Sequence, residues 1–177
     1  MQAFYSVRSA SATVNTSLVT LWSQSIPTAT LAFEGGGELF FISRNMPAGI
    51  SAGARLAVPI IAGFEIVGGF QWSDIKNKTL PFVSDYAFLA VAYRLDFFRH
   101  LDPYVEAGGG FFGLYPQNQE RASLRDFGFH LGLGCDYFFS YFLVGAYVRY
   151  HVFYFSGLDN FPAAVSGGIR LGIRLFE

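Results

Sequence analysis

The side chains most able to do chemistry in this chain are acids, arginines and histidines spaced at even intervals among glycines. Within residues 124–155, Asp126, His130 and Asp136 share one phase with Gly128, Gly132 and Gly134, and Arg149 and His151 share a phase with Gly145 and Tyr147. Elsewhere the same small, polar phase holds Glu34, Glu38, Arg55, Glu65, Arg94, Asp96, Glu106, Arg170 and Arg174. Charges of both signs that are taken out of water together must pair, because an isolated buried ion is very costly. An internal network of salt bridges is therefore the preferred reading of these residues. The competing reading is an active site or an ion path, since charged groups inside a membrane often mark function.

Little else in the sequence supports catalysis. Asp136, His130 and Ser140 do not read as a hydrolytic triad, because Ser140 falls in a turn. No glycine-rich phosphate loop and no metal-ligand spacing occurs. Cys135 is the single cysteine, which excludes an intrachain disulfide and a zinc site built on cysteines. It lies on the apolar phase and reads as a small packing residue. A net charge of −1 gives no electrostatic footprint for nucleic acid. The expectation is no catalytic residue, no metal, no cofactor and no enzymatic activity.

What must position the charged residues is a set of long strands. In residues 124–155 the phase opposite the charges carries Phe127, Phe129, Leu131, Leu133, Cys135 and Tyr137; after a break near Ser140 it carries Phe142, Val144, Ala146, Val148, Val152 and Tyr154. Alternation of period two belongs to β-strands. Each arm exceeds the usual soluble strand of about 5–6 residues and reaches the roughly 9–11 that cross a bilayer at a tilt. The pattern repeats. Strands are predicted to begin at Thr30, Ile50, Ile60, shortly before Ala87, at Pro103, Leu124 and Phe142, and shortly before Val165, eight in all. Loops are expected at residues 43–49, 73–84 (the longest), 116–123 and 156–161, with tight turns near Pro59, His100 and Ser140.

Composition says which face meets lipid. The chain is 52% hydrophobic and 19% aromatic but only 14% charged, against about 25% charged in soluble domains. No window reads as a membrane-spanning helix. A soluble lipocalin-like barrel would turn the apolar faces inward, but the polar faces here are glycine-rich and too sparsely charged to meet water. Trp72, Phe97, Phe98, Tyr137, Tyr141, Tyr154 and Phe155 crowd strand ends, as rings do in the interfacial girdles of membrane barrels.

Two strands also carry a resemblance. Residues 102–110, D-P-Y-V-E-A-G-G-G, resemble the P-Y-V-x-A-G-x-G fifth strand of small OmpA/OmpX-type barrels, with Glu106 where glycine is common. Residues 128–137, G-F-H-L-G-L-G-C-D-Y, resemble their G-x-x-x-G-x-G-x-D-Y sixth strand. The resemblance runs in strand order over residues 29–177. It implies an all-β fold: an eight-stranded antiparallel up-and-down transmembrane β-barrel of the bacterial outer membrane, in contact with outer-membrane lipid and lipopolysaccharide. Short turns at one rim and longer loops at the other predict periplasmic termini, with the segments near Arg44, Lys76, Gln117 and Asp159 at the surface. Residues 1–28, rich in Ser and Thr, read as an N-terminal extension, either a free tail or a segment that binds another envelope protein. They lack the basic start and clean apolar core of an export signal, so a signal is expected to have been removed or replaced.

The expected function is that of a non-enzymatic barrel with a closed, charge-filled lumen, a structural or interaction component of the envelope. A narrow porin-like channel and a lipid-modifying enzyme are the alternatives. The second is weakened because lipid A deacylase barrels carry a His-x-Ser-Asn strand end, whereas here His151 is followed by Val152 and Phe153. For closure, facing residues of antiparallel strands have numbers with a constant sum. Glu34 with Arg174 and Glu38 with Arg170 share one such sum, so a single register of the first strand on the last would pair both. Arg94 and Glu106 are expected to pair across the turn at His100.

Overall fold

The chain is described from a computed structural model, in which the described residues are 29–41, 46–61, 63–76, 81–95, 101–117, 124–154 and 162–175. The expected extension at residues 1–28, and Asp96, lie outside them. The described residues form eight strands: β1 (Ala29–Phe41), β2 (Ala48–Ile61), β3 (Phe64–Lys76), β4 (Phe82–Arg94), β5 (Leu101–Pro116), β6 (Leu124–Phe139), β7 (Phe142–Tyr154) and β8 (Ala163–Leu175). Each pairs antiparallel with the next, and β1 pairs with β8 to close a barrel. Closure leaves no open sheet edge, so the backbone polar groups can be satisfied within the wall, as a bilayer requires.

The alternation sorts side chains as the sequence implies. Phe33, Leu89, Phe111, Leu131 and Ile169 stand exposed on the outer wall, whereas Glu34, Glu106, Arg149 and Arg170 are buried inside. This is the reverse of a soluble barrel, and an outer face this apolar is stable only against lipid.

Several boundaries differ from the sequence pattern. β2 begins at Ala48, inside the loop expected at 43–49, because Ala48 and Gly49 pair with Leu39 and Glu38. Pro59 does not turn the chain: it lies in β2 opposite Glu65, and β2 runs on through a bulge to Ile61. A bulge near a strand end tolerates a residue that cannot donate to the ladder. The turn falls just beyond, where Gly63 adopts a φ of 86°, a conformation that favours glycine. The connection expected at 73–84 shrinks to residues 77–81, because Ser73, Asp74 and Ile75 pair with Ser84, Val83 and Phe82. β5 begins at Leu101, two residues before the expected start at Pro103; the expected turn near His100 lies outside the described residues.

Register sets which distant residues meet. Partners of Glu34 lead one way round the wall through Gly53, Gln71, Tyr86 and Phe112 to Asp126. The other way they lead through Arg170 and Gly145 to Asp136. The two arrivals lie ten residues apart on β6, 136 against 126. That stagger accompanies the strand tilt of a closed barrel. It places Asp136 in the row of Glu34 and Arg170, and Asp126 near the opposite rim.

Candidate functional site: a charged barrel interior

Around the middle of the barrel, four arginines interlock with four carboxylates. Arg149 grips both oxygens of Glu34, Nη1 to Oε2 at 2.6 Å and Nη2 to Oε1 at 2.8 Å, and its Nε donates to Glu106 at 2.5 Å. Arg55 Nη1 lies 3.2 Å from Glu106 and 4.0 Å from Glu34. Arg94 bridges Glu65 at 2.7 Å and Asp136 at 2.8 Å. Arg170 completes the set, 3.2 Å from Asp136 and 4.0 Å from Glu34. Equal numbers of each sign share this layer, which is how buried ions avoid a net uncompensated charge. The planar guanidinium suits such a site, because its fork matches a carboxylate.

Aromatic rings support the ions. The Tyr104 ring lies under three guanidinium groups, those of Arg170 at 4.5 Å, Arg55 at 5.2 Å and Arg94 at 5.6 Å. Arg149 lies 4.7 Å from the Tyr147 ring and 5.0 Å from Phe88. Such cation–π contacts gain strength where water is excluded. Lumen glycines make the room: a Cβ on Gly134 would strike the Tyr104 phenol, and one on Gly145 would strike the Asp136 carboxylate. The glycine-rich polar phase is thus the space into which long charged side chains from neighbouring strands fold.

Apolar clusters lie toward both ends. Toward the rim with the longer loops, Phe40, Ile75, Phe82, Tyr86, Phe112 and Phe153 form a buried cluster. At the rim with the termini, Ala32, Phe138 and Leu143 form a smaller one.

The remaining charged residues fall elsewhere. Glu38 faces the lumen but accepts from Gln71 Nε2 at 3.2 Å and from the Ser73 hydroxyl; it makes no ion pair among the described residues. His130 meets the Tyr86 hydroxyl at 3.0 Å and has Glu106 3.8 Å away. His151 Nε2 meets Ser166 Oγ at 2.9 Å. Asp126 is half-buried, and one of its oxygens accepts from the Phe127 backbone N–H. Arg174 is also half-buried, 4.1 Å above the Phe138 ring.

The expected pairings need correction. Arg170 faces Glu34 in the ladder, Ser166 faces Glu38, and Thr30 faces Arg174. The seam is therefore shifted four residues from the register that would pair Glu38 with Arg170. Arg94 faces Tyr104, and Glu106 faces Ala92. Arg94 instead reaches Glu65 and Asp136, and Glu106 is taken by Arg149 and Arg55. The neutral partners Gln71, Ser73, Tyr86, Tyr104, Tyr147 and Ser166 carry no charge to mark them as members of the network, but each shares the phase of the charged residues on its strand.

Chemically, the arrangement braces the barrel. Among the described residues no group of three or more His, Cys, Asp and Glu is placed to hold a metal ion. Ser166 and His151 touch, and both are fully buried.

A closed eight-stranded barrel with an apolar outer wall and an ionic interior has the fold of the small outer-membrane β-barrels. Solved structures agree. Neisserial surface protein A is similar with a TM-score of 0.73 and 12% identity, over 83% of this chain and 97% of that one. The attachment invasion locus protein Ail of Yersinia pestis gives 0.56 and 14%, over 85% and 100%. The outer-membrane enzyme PagL gives 0.51 and 13%, over 83% and 99%. At these identities the likeness is one of fold, and the fold serves an enzyme as well as surface proteins. No protein-family model and no curated protein matches the chain.

Proposed function

We propose that the chain is a non-enzymatic barrel of the bacterial outer membrane, with periplasmic termini and a sealed lumen, acting as a structural or interaction component of the envelope. The observation that carries this reading is the ionic layer: Arg149, Glu34 and Glu106 meet across the barrel axis from β7, β1 and β5. An eight-stranded barrel is just wide enough for side chains to fill. Here they are long, paired and flanked by apolar clusters, which argues against a continuous aqueous path. The burial of His151 and Ser166 argues against hydrolysis at that pair. The outer wall and residues 1–28 are then the surfaces left for partners.

Conductance tests the reading. Purified barrel reconstituted in planar bilayers is expected to leave the membrane insulating, and steady single-channel currents would favour the porin-like alternative. The same purified barrel, reconstituted in liposomes with lipid A, is expected to leave the lipid A unaltered by mass spectrometry.

A further inference from the structure

The outer wall carries a polar device where a membrane barrel would otherwise be uniformly apolar. Asp85, Gly113 and Arg125 are ladder partners across β4, β5 and β6, and their phase faces outward. Gly113 has no side chain, and a Cβ there would strike both the Asp85 carboxylate and the Tyr115 phenol. Tyr115 thus lies across it as a bridge: its hydroxyl donates to Asp85 at 3.1 Å and accepts from Arg125 Nε at 3.1 Å. The ring also lies 5.7 Å from the guanidinium. Arg125 is exposed and held by its Nε edge. Among the described residues its two terminal nitrogens meet no hydrogen-bond acceptor or carboxylate.

Beneath this device the wall is hollowed. One depression of about 550 Å³ contains Asp85, Tyr115 and Arg125 at its head and Ala87, Phe111 and Phe127 at its foot. A second, of about 890 Å³, shares Ala87, Phe111 and Phe127 and continues over Ala107 and Gly109. In the ladder, Gly109 lies between Leu89 and Phe129, and Ala107 between Val91 and Leu131. Such flanking strands stand two ladder spacings apart, roughly 9–10 Å. That leaves a trough about one hydrocarbon chain wide with small residues along its floor. Phe111, at the head of the floor strand, and Phe127 form an edge-to-face pair, their centroids 5.9 Å apart, so the way from Gly109 to the polar head runs beside them over Ala87, the ladder partner of Phe111.

We infer that this groove is a site for one phosphorylated membrane lipid, whose phosphate sits on Arg125 and one of whose acyl chains lies along Ala87, Gly109 and Ala107. The charge argues for the occupant: a guanidinium fixed by one edge presents its other edge as a fork that matches phosphate. The shape argues for it too, because the head is polar and the trough below it is apolar and narrow, whereas a second barrel would present a broad convex wall. The inference rests on the proposed orientation only in placing Arg125 at the outer leaflet, where the lipid would be lipid A. Binding in detergent does not depend on that orientation, so the two readings fail separately.

Native mass spectrometry of the full chain in detergent, with lipid A added, provides the test. The unmodified chain is expected to retain one lipid A, and to retain at least tenfold less of its dephosphorylated form. Arg125→Gln is expected to lose the preference for phosphate. Ala107→Phe, which fills the trough at an outward position, is expected to lose the bound lipid while circular dichroism reports an intact barrel. Inorganic phosphate at equal concentration is expected not to displace the lipid. Equal retention by Arg125→Gln, indifference to the lipid's phosphate, displacement by free phosphate, or a lipid-free mass of two chains would overturn the inference.

Discussion

At the scale of single residues, Arg149 decides the interior. All three of its guanidinium nitrogens donate to carboxylates, two to Glu34 and one to Glu106. Removing one member of a buried ion group leaves its partners charged and without compensation, which costs about 3–5 kcal/mol. Replacing the whole group by neutral residues of similar volume removes the same attraction without stranding a charge. Arg149→Met is therefore expected to destabilise by about 3–5 kcal/mol, although Arg55 still faces Glu106 at 3.2 Å. Because Arg55 also rests on Glu106 and Glu34, the whole group includes it. The quadruple variant Arg149→Met, Arg55→Met, Glu34→Gln, Glu106→Gln is expected to recover most of that loss, because residues in one network do not contribute additively. Urea titration in detergent, followed by tryptophan fluorescence, measures both. A quadruple variant weaker than the single one would show that packing rather than charge holds the layer. Glu38 offers the contrast: with only neutral partners, its replacement by Gln preserves the polar contact and removes no ion pair.

At the scale of elements, phase was legible in the sequence and register was not. Alternation assigns each residue to the lumen or the lipid with period two, so Glu34, Glu106, Arg149 and Arg170 could be placed inside from spacing alone. A slip of four residues preserves every such assignment, which is why Glu38 with Arg170 looked as good as the actual Glu34 with Arg170. What fixes the seam is close packing that the charges do not report. Gly36 faces Gly168, and a Cβ on either would collide with the backbone of the other strand. Two glycine runs, at 35–37 and 167–168, held that information. Pro59 is ambiguous for a similar reason, since proline marks a bulge as readily as a turn. Outside Gly109 and Gly113, whose outward side is already filled by Phe127 and by Tyr115 with Asp85, crowded lumen glycines contrast with open ones on the outer wall, and this gives a test. On Gly134 a side chain would collide with Tyr104, the ring beneath three arginines, whereas on Gly68 it would meet open space on the outer wall. Gly134→Leu is expected to cost at least the 1–3 kcal/mol typical of overpacking, and Gly68→Leu to change stability by less than about 1 kcal/mol, since apolar residues suit a lipid-facing wall. Heat-dependent gel mobility of the folded barrel compares the two; similar losses would mean that the faces are not divided in this way.

At the scale of the molecule, the rims are unequal, and that inequality orients the barrel. An even number of strands puts both ends of the barrel chain, Ala29 and Leu175, at one rim, where they are ladder partners. The links at that rim are residues 62–63, 95–100 and 140–141; those at the other are 42–47, 77–81, 117–123 and 155–162. Two of the three near the termini are two-residue turns, whereas none at the opposite rim is shorter than five residues. Membrane barrels keep short turns in the periplasm and longer loops outside, which is the basis for the proposed orientation. Side-specific labelling tests it without reference to any ligand. Cys135 is replaced by serine first, because it is a free thiol on a half-exposed side chain. A single cysteine is then placed at Met46, exposed at the rim of longer loops, or at Tyr141, exposed in the turn between β6 and β7. In intact cells a membrane-impermeant maleimide is expected to label the Met46 variant and to spare the Tyr141 variant until the outer membrane is opened. The reverse pattern would turn the barrel over, put Arg125 at the inner leaflet, and leave the ionic seal unchanged, because the pairing of Arg149 with Glu34 and Glu106 is indifferent to which side faces the cell.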